Sequence, residues 1–360
     1  MKISIYVQHE GLNISFMTVK SKQFDIFYNE HEFLSSNNNI KVAVLEPNYF
    51  NVLPFKNQLD RLLHKCNCIF VQSMEFRYVI DLVKEYDYKN IVWIMGGMVN
   101  YPIKNARIVT ECHFALNVSY AYIEELAHLI KEKTNPFKPK EFMFDVFYGS
   151  KHRNKLFTKK QLEKVNKPNF FLEGSFFNNT LNKTGEYTDY THPDNCKPGI
   201  WWEPEILESM DDFGRCDYYG VSMLNVLIVP FQVYNKSAYS LVCESSSDND
   251  YVFITEKITK PMLACRLFIV ISSHRYLERL QSLGFKTFEG IIDESYDQEI
   301  DDHTRWRKAI EQAVWLCNQP QQEVLKKIVP IVLHNLYHLK YLKHNQLSLE
   351  IEKFVQSFEG

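Results

Sequence analysis

The chain has 360 residues, of which 45% are hydrophobic and 14% aromatic, so it is long enough for two domains with cores of their own, and its composition excludes a disordered chain. Its 41 Lys and Arg residues against 44 Asp and Glu residues give a formal charge of −3, which excludes a positive field over the whole surface that would gather nucleic acid. A local basic groove inside a cleft is compatible with this balance.

The N-terminal stretch MKISIYVQHEG has one lysine and an apolar run too short for a signal peptide, and no segment reaches the length of a membrane span. The eight cysteines show no CxxC pairs of the kind that zinc sites use. These features predict a soluble cytoplasmic protein with free thiols and no stable membrane insertion.

The first third of the chain alternates short apolar or β-branched runs with amphipathic helical patterns. The sequence predicts strands over 3–7, 41–45, 68–72, 90–95 and 106–110, and helices over 55–63, 74–86 and 120–133. Strands that alternate with helices in this way are typical of a parallel sheet with helical crossovers.

A linker with two prolines and clustered lysines follows at 131–142. Beyond it the sequence predicts strands at 142–148 and in VLIVPF (226–231), SLVCES (240–245) and LFIVIS (267–272), helices through 164 and at 254–265 and 275–284, and a mainly helical stretch from 305. The segment 178–202 has no clean period and reads as a long loop, a kind of segment that often forms a lid or a binding surface.

We therefore predict an α/β protein with two Rossmann-like domains that face a central cleft, which is the expected ligand site. Residues 1–135 form the first domain, residues 141–320 the second, and residues 321–360 a helical tail.

The tripeptide Thr255, Glu256 and Lys257 stands where an aromatic, β-rich run ends and a helix begins. A helix N-terminus offers unsatisfied N–H groups and a partial positive charge, which suits a phosphate. Glu256 can accept hydrogen bonds from the vicinal hydroxyls of a ribose, and Lys257 supplies a point charge for a diphosphate. Ordinary capping of a helix explains the same residues, so both interpretations are open here.

The elements around this tripeptide resemble the donor-binding part of the GT-B glycosyltransferases, and most closely the α-1,3-fucosyltransferase family. That family has a strand ending in a Glu-Asn-Ser-like stretch and then a Tyr-x-Thr-Glu-Lys-like motif; this chain has CESS at 243–246 and YVFITEK at 251–257. The resemblance implies a GT-B-like fold in which Glu256 contacts the ribose and Lys257 the diphosphate of a GDP- or UDP-linked sugar. It adds Glu244, Tyr251 and Thr255 to the donor-binding set.

A second stretch carries the same resemblance. The family opens its C-terminal domain with a strand, a polar loop and an arginine that contacts the diphosphate, and FYGSKHRNKLF places Arg153 there with Lys151 and His152 beside it. A planar guanidinium can hold two phosphate oxygens at once. Read without the resemblance, Arg153 is a solvated loop residue.

The resemblance covers roughly 142–297 and has departures. The pairs Lys260-Pro261 and Ser272-Ser273, the latter followed by His274, differ from what the family commonly shows. The block LGFKTFEGIIDESYD at 283–297 looks closer to uncharacterised glycosyltransferase-like proteins of phages and other microbes. The transferred sugar is therefore left open.

An inverting transfer needs a base that removes the proton of the acceptor hydroxyl. The candidates are carboxylates at predicted strand ends of the first domain, namely Glu10, with His9 beside it, then Glu46 and Glu111. Each of them also reads as an ordinary surface acid.

Stabilisation of the leaving diphosphate is assigned to Arg153, Lys257 and the helix N-terminus, so neither a metal nor another cofactor is predicted beyond the nucleotide-sugar co-substrate. The DND run at 248–250 reads as a loop rather than a metal motif. His334 and His338 read as packing residues.

The sequence thus predicts a metal-independent, inverting glycosyltransferase whose acceptor is a glycan or a hydroxylated DNA base, the second as in phage-type DNA hexosyl- or arabinosyltransferases. A DNA acceptor would require a basic cleft and a route to a flipped base. The alternative is a non-catalytic nucleotide-sugar or glycan-binding protein that kept the donor pocket and lost the base.

Overall fold

The computed structural model describes residues 2–8, 24–47, 52–73, 78–111, 132–148, 152–165, 167, 169–175, 215–218, 221–224, 227–247, 249–341 and 346–357. The chain divides into two compact units, one made of 1–113 with 343–360 and the other of 114–342. No helix in the described part of the chain has both the length and the apolar character that crossing a lipid bilayer requires.

The first unit is built on a six-stranded sheet in the order β2-β1-β3-β4-β5-β7, with every neighbouring pair parallel. Its elements are β1 (Ile3–Val7), β2 (Phe24–Phe27), α1 (Glu30–Ser35), β3 (Ile40–Leu45), α2 (Val52–Leu63), β4 (Cys68–Ser73), α3 (Tyr78–Glu85), β5 (Ile91–Met95), β6 (Gly97–Val99) and β7 (Arg107–Thr110). The apolar runs of β1, β3, β4 and β5 are almost wholly buried, as expected for strands that are covered on both faces.

The five strands predicted for this region are confirmed to within one residue at each end. The short β2 was not predicted, because its four residues, FDIF, are all half-buried and give too weak a pattern. The predicted helix at 120–133 lies almost entirely outside the described residues.

The second unit contains a four-stranded parallel sheet in the order β14-β12-β8-β9. Its elements are β8 (Phe142–Tyr148), α4 (Arg153–Leu162), β9 (Phe171–Ser175), β10 (Arg215–Tyr218), β11 (Val221–Leu224), α5 (Phe231–Lys236), β12 (Ser237–Cys243), β13 (Tyr251–Phe253), α6 (Glu256–Leu263), β14 (Phe268–Ile271), α7 (Tyr276–Ser282), α8 (Asp302–Cys317) and α9 (Gln321–Tyr341). β10 and β11 form a separate antiparallel pair. The α/β fold with two Rossmann-like domains is confirmed, and it is consistent with a GT-B protein.

One predicted strand is wrong. The run VLIVPF at 226–231 is not extended over its described part; its last residue begins α5 instead. Pro230 has no N–H group for a sheet ladder, but its carbonyl accepts a hydrogen bond from the N–H of Tyr234 at 2.9 Å and so starts the helix.

The long loop predicted at 178–202 lies outside the described residues.

Each parallel sheet has a point at which the strand order reverses. In the first sheet β1 lies between β2 and β3, and in the second β8 lies between β9 and β12. At such a point the loops that follow the two neighbouring strands run to opposite sides of the sheet. A crevice therefore opens at the carboxyl ends of these strands, where open α/β sheets bind ligands.

The chain end returns to the first unit. Helix α10 (Gln346–Gln356) buries Ile351 and packs Phe354 edge-on against Phe70 of β4, with ring centroids 6.2 Å apart. Arg107 of β7 forms an ion pair with the buried Glu350 at 2.8 Å. The stretch 321–360 is thus divided, with α9 in the second unit and α10 covering the sheet of the first.

The second sheet is tied together by a buried ion pair between Asp145 on β8 and Arg266, which precedes β14. Arg266 also donates to the carbonyls of Tyr234, Ser237 and Tyr239 at 2.7–3.0 Å, and Asp145 accepts from Ser237 Oγ at 2.9 Å. All three guanidinium nitrogens of Arg266 donate, and Asp145 Oδ2 accepts from Arg266, Ser237 and Ser240. Such hydrogen bonds are the condition under which a buried ion pair is tolerated.

Asp145→Asn is expected to lower the free energy of unfolding by about 3 kcal/mol or more, because it leaves the buried Arg266 charge without its counterion. Equilibrium urea unfolding measures the change. The matched control is Glu311→Gln, which removes the partner of Arg307 in an exposed pair and should cost no more than about 0.5 kcal/mol. Equal stability of the two variants would contradict this role of the buried pair.

Candidate functional site

Thr255 starts α6 as its N-cap residue. Its backbone is extended, and its Oγ1 accepts a hydrogen bond from the N–H of Lys257 at 3.2 Å. Thr255 therefore caps the helix, as one of the two interpretations of the Thr-Glu-Lys tripeptide expects. It does not compete with a binding role, since the cap is what orders the first helical turn and the two charged residues in it.

Glu244 follows β12 and is fully buried. It accepts four hydrogen bonds: from the hydroxyls of Thr255 and Tyr276, each at 2.7 Å, and from the backbone N–H groups of Thr255 and Ser245, each at 3.3 Å. Burial raises the pKa of Glu244, opposed by the charge of Lys257 and by these hydrogen bonds. Glu244 therefore joins the carboxyl end of β12 to the start of α6 and to the first residue of α7.

Glu256 and Lys257 form an ion pair at 2.8 Å in the first turn of α6. Glu256 is buried, whereas the side chain of Lys257 is 28% exposed. Burial alone would raise the pKa of Glu256, but the positive charges of Lys257 and the half-buried Lys260 outweigh it, so the pKa is lowered. The carboxylate is thus kept ionised next to a cation that solvent can reach.

Helix α4 brings a lysine to this place that the sequence analysis did not single out. Lys155 lies in the first turn of α4 and is 2% exposed. Burial, followed by the charge of Lys257, lowers its pKa to about 8, against the opposing effects of Cys243, Glu244 and Glu256. The only signal in the sequence was its position two residues after Arg153.

Arg153 is the first residue of α4 and is exposed. Its guanidinium lies 3.4 Å from Asp302 Oδ2 and 5.8 Å from the centre of the Trp306 ring, both on α8. Lys151 lies outside the described residues. Tyr251 is buried on β13 and stacks on Phe253, with ring centroids 6.0 Å apart.

Asn154 holds α4 to the ends of two strands. Its side-chain amide donates to the carbonyl of Glu244 at 2.9 Å and to the carbonyl of Ile271 at 3.1 Å. The carboxyl ends of β12 and β14 and the starts of α4 and α6 therefore lie within one hydrogen-bonded region, next to the point where the strand order of the second sheet reverses. We call Lys155, Glu244, Thr255, Glu256 and Lys257 the switch-point cluster.

The first unit places one predicted carboxylate at its own reversal point. Glu46 follows β3 and is half-buried, and its N–H donates to the side-chain oxygen of Gln8, which follows β1, at 2.7 Å. Glu111 follows β7 and is buried. Glu10 and His9 lie outside the described residues.

Two other motifs have structural roles. His334 and His338 on α9 donate from Nε2 to the carbonyls of Gly284 and Leu283 at 2.9 and 2.7 Å, so they pack, as predicted. In the 248–250 run, Asn249 accepts from the N–H of His274 and donates to the carbonyl of Ile300. Both motifs tie neighbouring segments of the second unit together.

A scan of the chain against protein-family models finds no match, and no curated protein matches it. A proposal for the function therefore has to start from the side chains of the switch-point cluster. A buried, ionised carboxylate can accept from two neighbouring hydroxyls, and cations at helix N-termini can hold a phosphate group.

Tyr276→Phe is expected to lower the free energy of unfolding by about 1.5–3 kcal/mol, because it removes a charge-assisted hydrogen bond from the buried Glu244. Urea unfolding measures the loss, and Tyr88→Phe, which changes an exposed tyrosine, is the matched control. If both variants are as stable as the wild type, Glu244 does not depend on the Tyr276 hydroxyl.

Proposed function

We propose that the protein is a glycosyltransferase that moves a sugar from a nucleotide-sugar donor to a hydroxyl acceptor. The observation that carries the proposal is the pairing of a buried Glu256 with a partly exposed Lys257 in a capped helix start at the reversal point of a parallel sheet. The order of elements from β12 to α6, which resembles that of the α-1,3-fucosyltransferases, supports the same function.

In this proposal the donor separates the Glu256–Lys257 pair. The ribose hydroxyls donate to Glu256, and the diphosphate takes Lys257 as its counterion. The N–H groups at the start of α6 add to this, because they carry the positive end of the helix dipole. As the bond between sugar and diphosphate breaks, negative charge grows on the diphosphate, and these groups stabilise it without a metal ion.

The reaction inverts the anomeric centre, and a carboxylate of the first unit removes the proton of the acceptor hydroxyl. Glu46 is the described residue to which we assign this role, since it lies at the strand-order reversal of its sheet. Glu10 is the second candidate. The acceptor is a glycan or a hydroxylated base of DNA; the phage-like block at 283–297 supports DNA, and the formal charge of −3 favours a glycan.

One nucleotide among UDP, GDP and CMP, or its sugar conjugate, is expected to stabilise the wild type by about 2.7 kcal/mol at a hundred times its dissociation constant. A thermal-shift screen measures this. In Glu256→Gln and Lys257→Met the same nucleotide should give a clearly smaller shift, because one of the two acceptor oxygens for the ribose, with its charge, or the diphosphate counterion is lost.

The chain offers a matched control for this screen on α9, where Glu323 and Lys326 form an exposed ion pair at 3.0 Å. Glu323→Gln and Lys326→Met should keep the full nucleotide-dependent shift. A wild type that no nucleotide stabilises would contradict the proposed function and leave the Thr-Glu-Lys tripeptide as a helix cap.

Glu46→Gln is expected to slow sugar transfer by a factor of about 10²–10⁴, because the amide cannot take the acceptor's proton. Donor affinity should stay the same. Release of nucleoside diphosphate in the presence of glycan or hydroxylated-DNA acceptors measures transfer, with Glu10→Gln and Glu111→Gln assayed in parallel.

Full transfer by Glu46→Gln would move the role of the base to another carboxylate. If the wild type binds the donor yet neither transfers nor hydrolyses the sugar with any acceptor, the protein is instead a non-catalytic nucleotide-sugar or glycan-binding protein.

The salt dependence of acceptor binding distinguishes the two acceptor classes. The affinity for a DNA acceptor should fall steeply as the salt concentration rises, whereas a neutral glycan acceptor should bind almost independently of salt.

A further inference from the structure

Lys155 is a lysine with its side chain almost wholly inside the protein. It is 2% exposed and lies in the first turn of α4, next to Asn154, whose amide reaches the carbonyls that follow β12 and β14. A lysine buried in this way carries a desolvation cost whenever it is charged. An apolar residue at a buried helix position fills the same space without a desolvation cost.

The charged groups around Lys155 come from β12 and α6. Those that act on it are Lys257, Glu244 and Glu256, together with the thiol of Cys243. Burial raises the pKa of Cys243 to about 12, so this thiol is neutral at ordinary pH. Lys260, which interacts with Glu256 and Lys257, completes a set of three lysines against two glutamates. When all five groups are charged, the set carries one positive charge in excess, and two of its lysines lie on α6.

We propose that Lys155 is a buried cation of the diphosphate subsite and that a nucleoside diphosphate binds together with a proton on Lys155. The inference rests on the proposed function, because it concerns the same donor site. It assigns to Lys155 an electrostatic role under the diphosphate that the exposed Arg153, paired with Asp302, does not fill.

Opposing electrostatic effects set the charge of Lys155. Burial and the charge of Lys257 favour neutral Lys155, and the two glutamates favour the charged form. An arriving diphosphate adds two or more negative charges at short range in a region of low dielectric constant, which favours charged Lys155. Binding therefore raises the pKa of Lys155 from about 8, and protons are taken up.

The sign of the pH dependence follows from linkage. Well below pH 8 Lys155 is almost fully charged in the unliganded protein, so binding is at its strongest there. As pH rises through 8 the unliganded protein loses this proton, and binding must recover it. The dissociation constant should therefore rise about eightfold between roughly pH 7.5 and pH 9. The phosphates of UDP and GDP add little to this slope, because their last ionisation lies near pH ~6.

The experiment is isothermal titration calorimetry with UDP and GDP at several pH values, in buffers of different ionisation enthalpy. The wild type should show the eightfold change and take up about half a proton per nucleotide near pH ~8. Lys155→Arg keeps its charge throughout and should flatten the profile to within about twofold. Lys155→Met should bind weakly at every pH and also without a slope.

Lys260→Arg is the control that decides which lysine is responsible, because burial also lowers the pKa of Lys260 to about 8. The proposal expects Lys260→Arg to keep the slope of the wild type. A slope that survives in both Lys155 variants and disappears in Lys260→Arg overturns it, as does the absence of proton uptake by the wild type. If the wild type binds no nucleotide at pH 7.5, the proposed function falls, and this inference falls with it.

Discussion

The hydrogen bonds that Glu244 accepts are the constraint on which the rest of the candidate site depends. A carboxylate with no solvent exposure is costly to bury unless donors surround it, and Glu244 has the Thr255 and Tyr276 hydroxyls and two backbone N–H groups. Because one of these donors is the N-cap residue of α6, the same bonds that stabilise the carboxylate also fix where that helix begins. The positions of Glu256 and Lys257 follow from this.

The parallel sheet supplies the rest of the geometry. In a parallel sheet all carboxyl ends lie at one edge, so residues far apart in sequence meet there. Asn154 from α4, Glu244 after β12 and Tyr276 at the start of α7 are brought together in this way. The buried Asp145–Arg266 pair connects β8 with β12 and with the residue before β14 away from that edge, and it stabilises the scaffold there.

Much of the scaffold could be predicted from the sequence, because continuous apolar runs such as IKVAVL and FMFDVFY are strong strand signals. The start of α6 could also be predicted, since a threonine before two charged residues is a local capping pattern. Long-range contacts left no local pattern. Tyr276 reads as an ordinary helix residue until its hydroxyl is seen on Glu244, and α10 gives no sign that it packs on the first sheet.

The difference between local sequence patterns and long-range contacts also explains why Arg153 was singled out from the sequence and Lys155 was not. Both stand near the start of one helix, and sequence alone favoured the arginine, because a guanidinium suits a diphosphate better than an ammonium group does. The two side chains differ in burial. Arg153 is exposed and faces Asp302, whereas Lys155 is enclosed and senses the charges of the switch-point cluster. Exposure depends on the packing of α4 against neighbours that the local sequence does not encode.

We propose above all that the start of α6 is the binding place of a nucleoside diphosphate. A crystal structure of the protein with UDP or GDP bound tests it most directly. We expect phosphate oxygens at hydrogen-bonding distance from Lys257 and the N–H groups of the first turn, ribose hydroxyls on Glu256, and the Glu256–Lys257 ion pair opened. A nucleotide bound elsewhere, with that pair and its 2.8 Å separation intact, would contradict the claim.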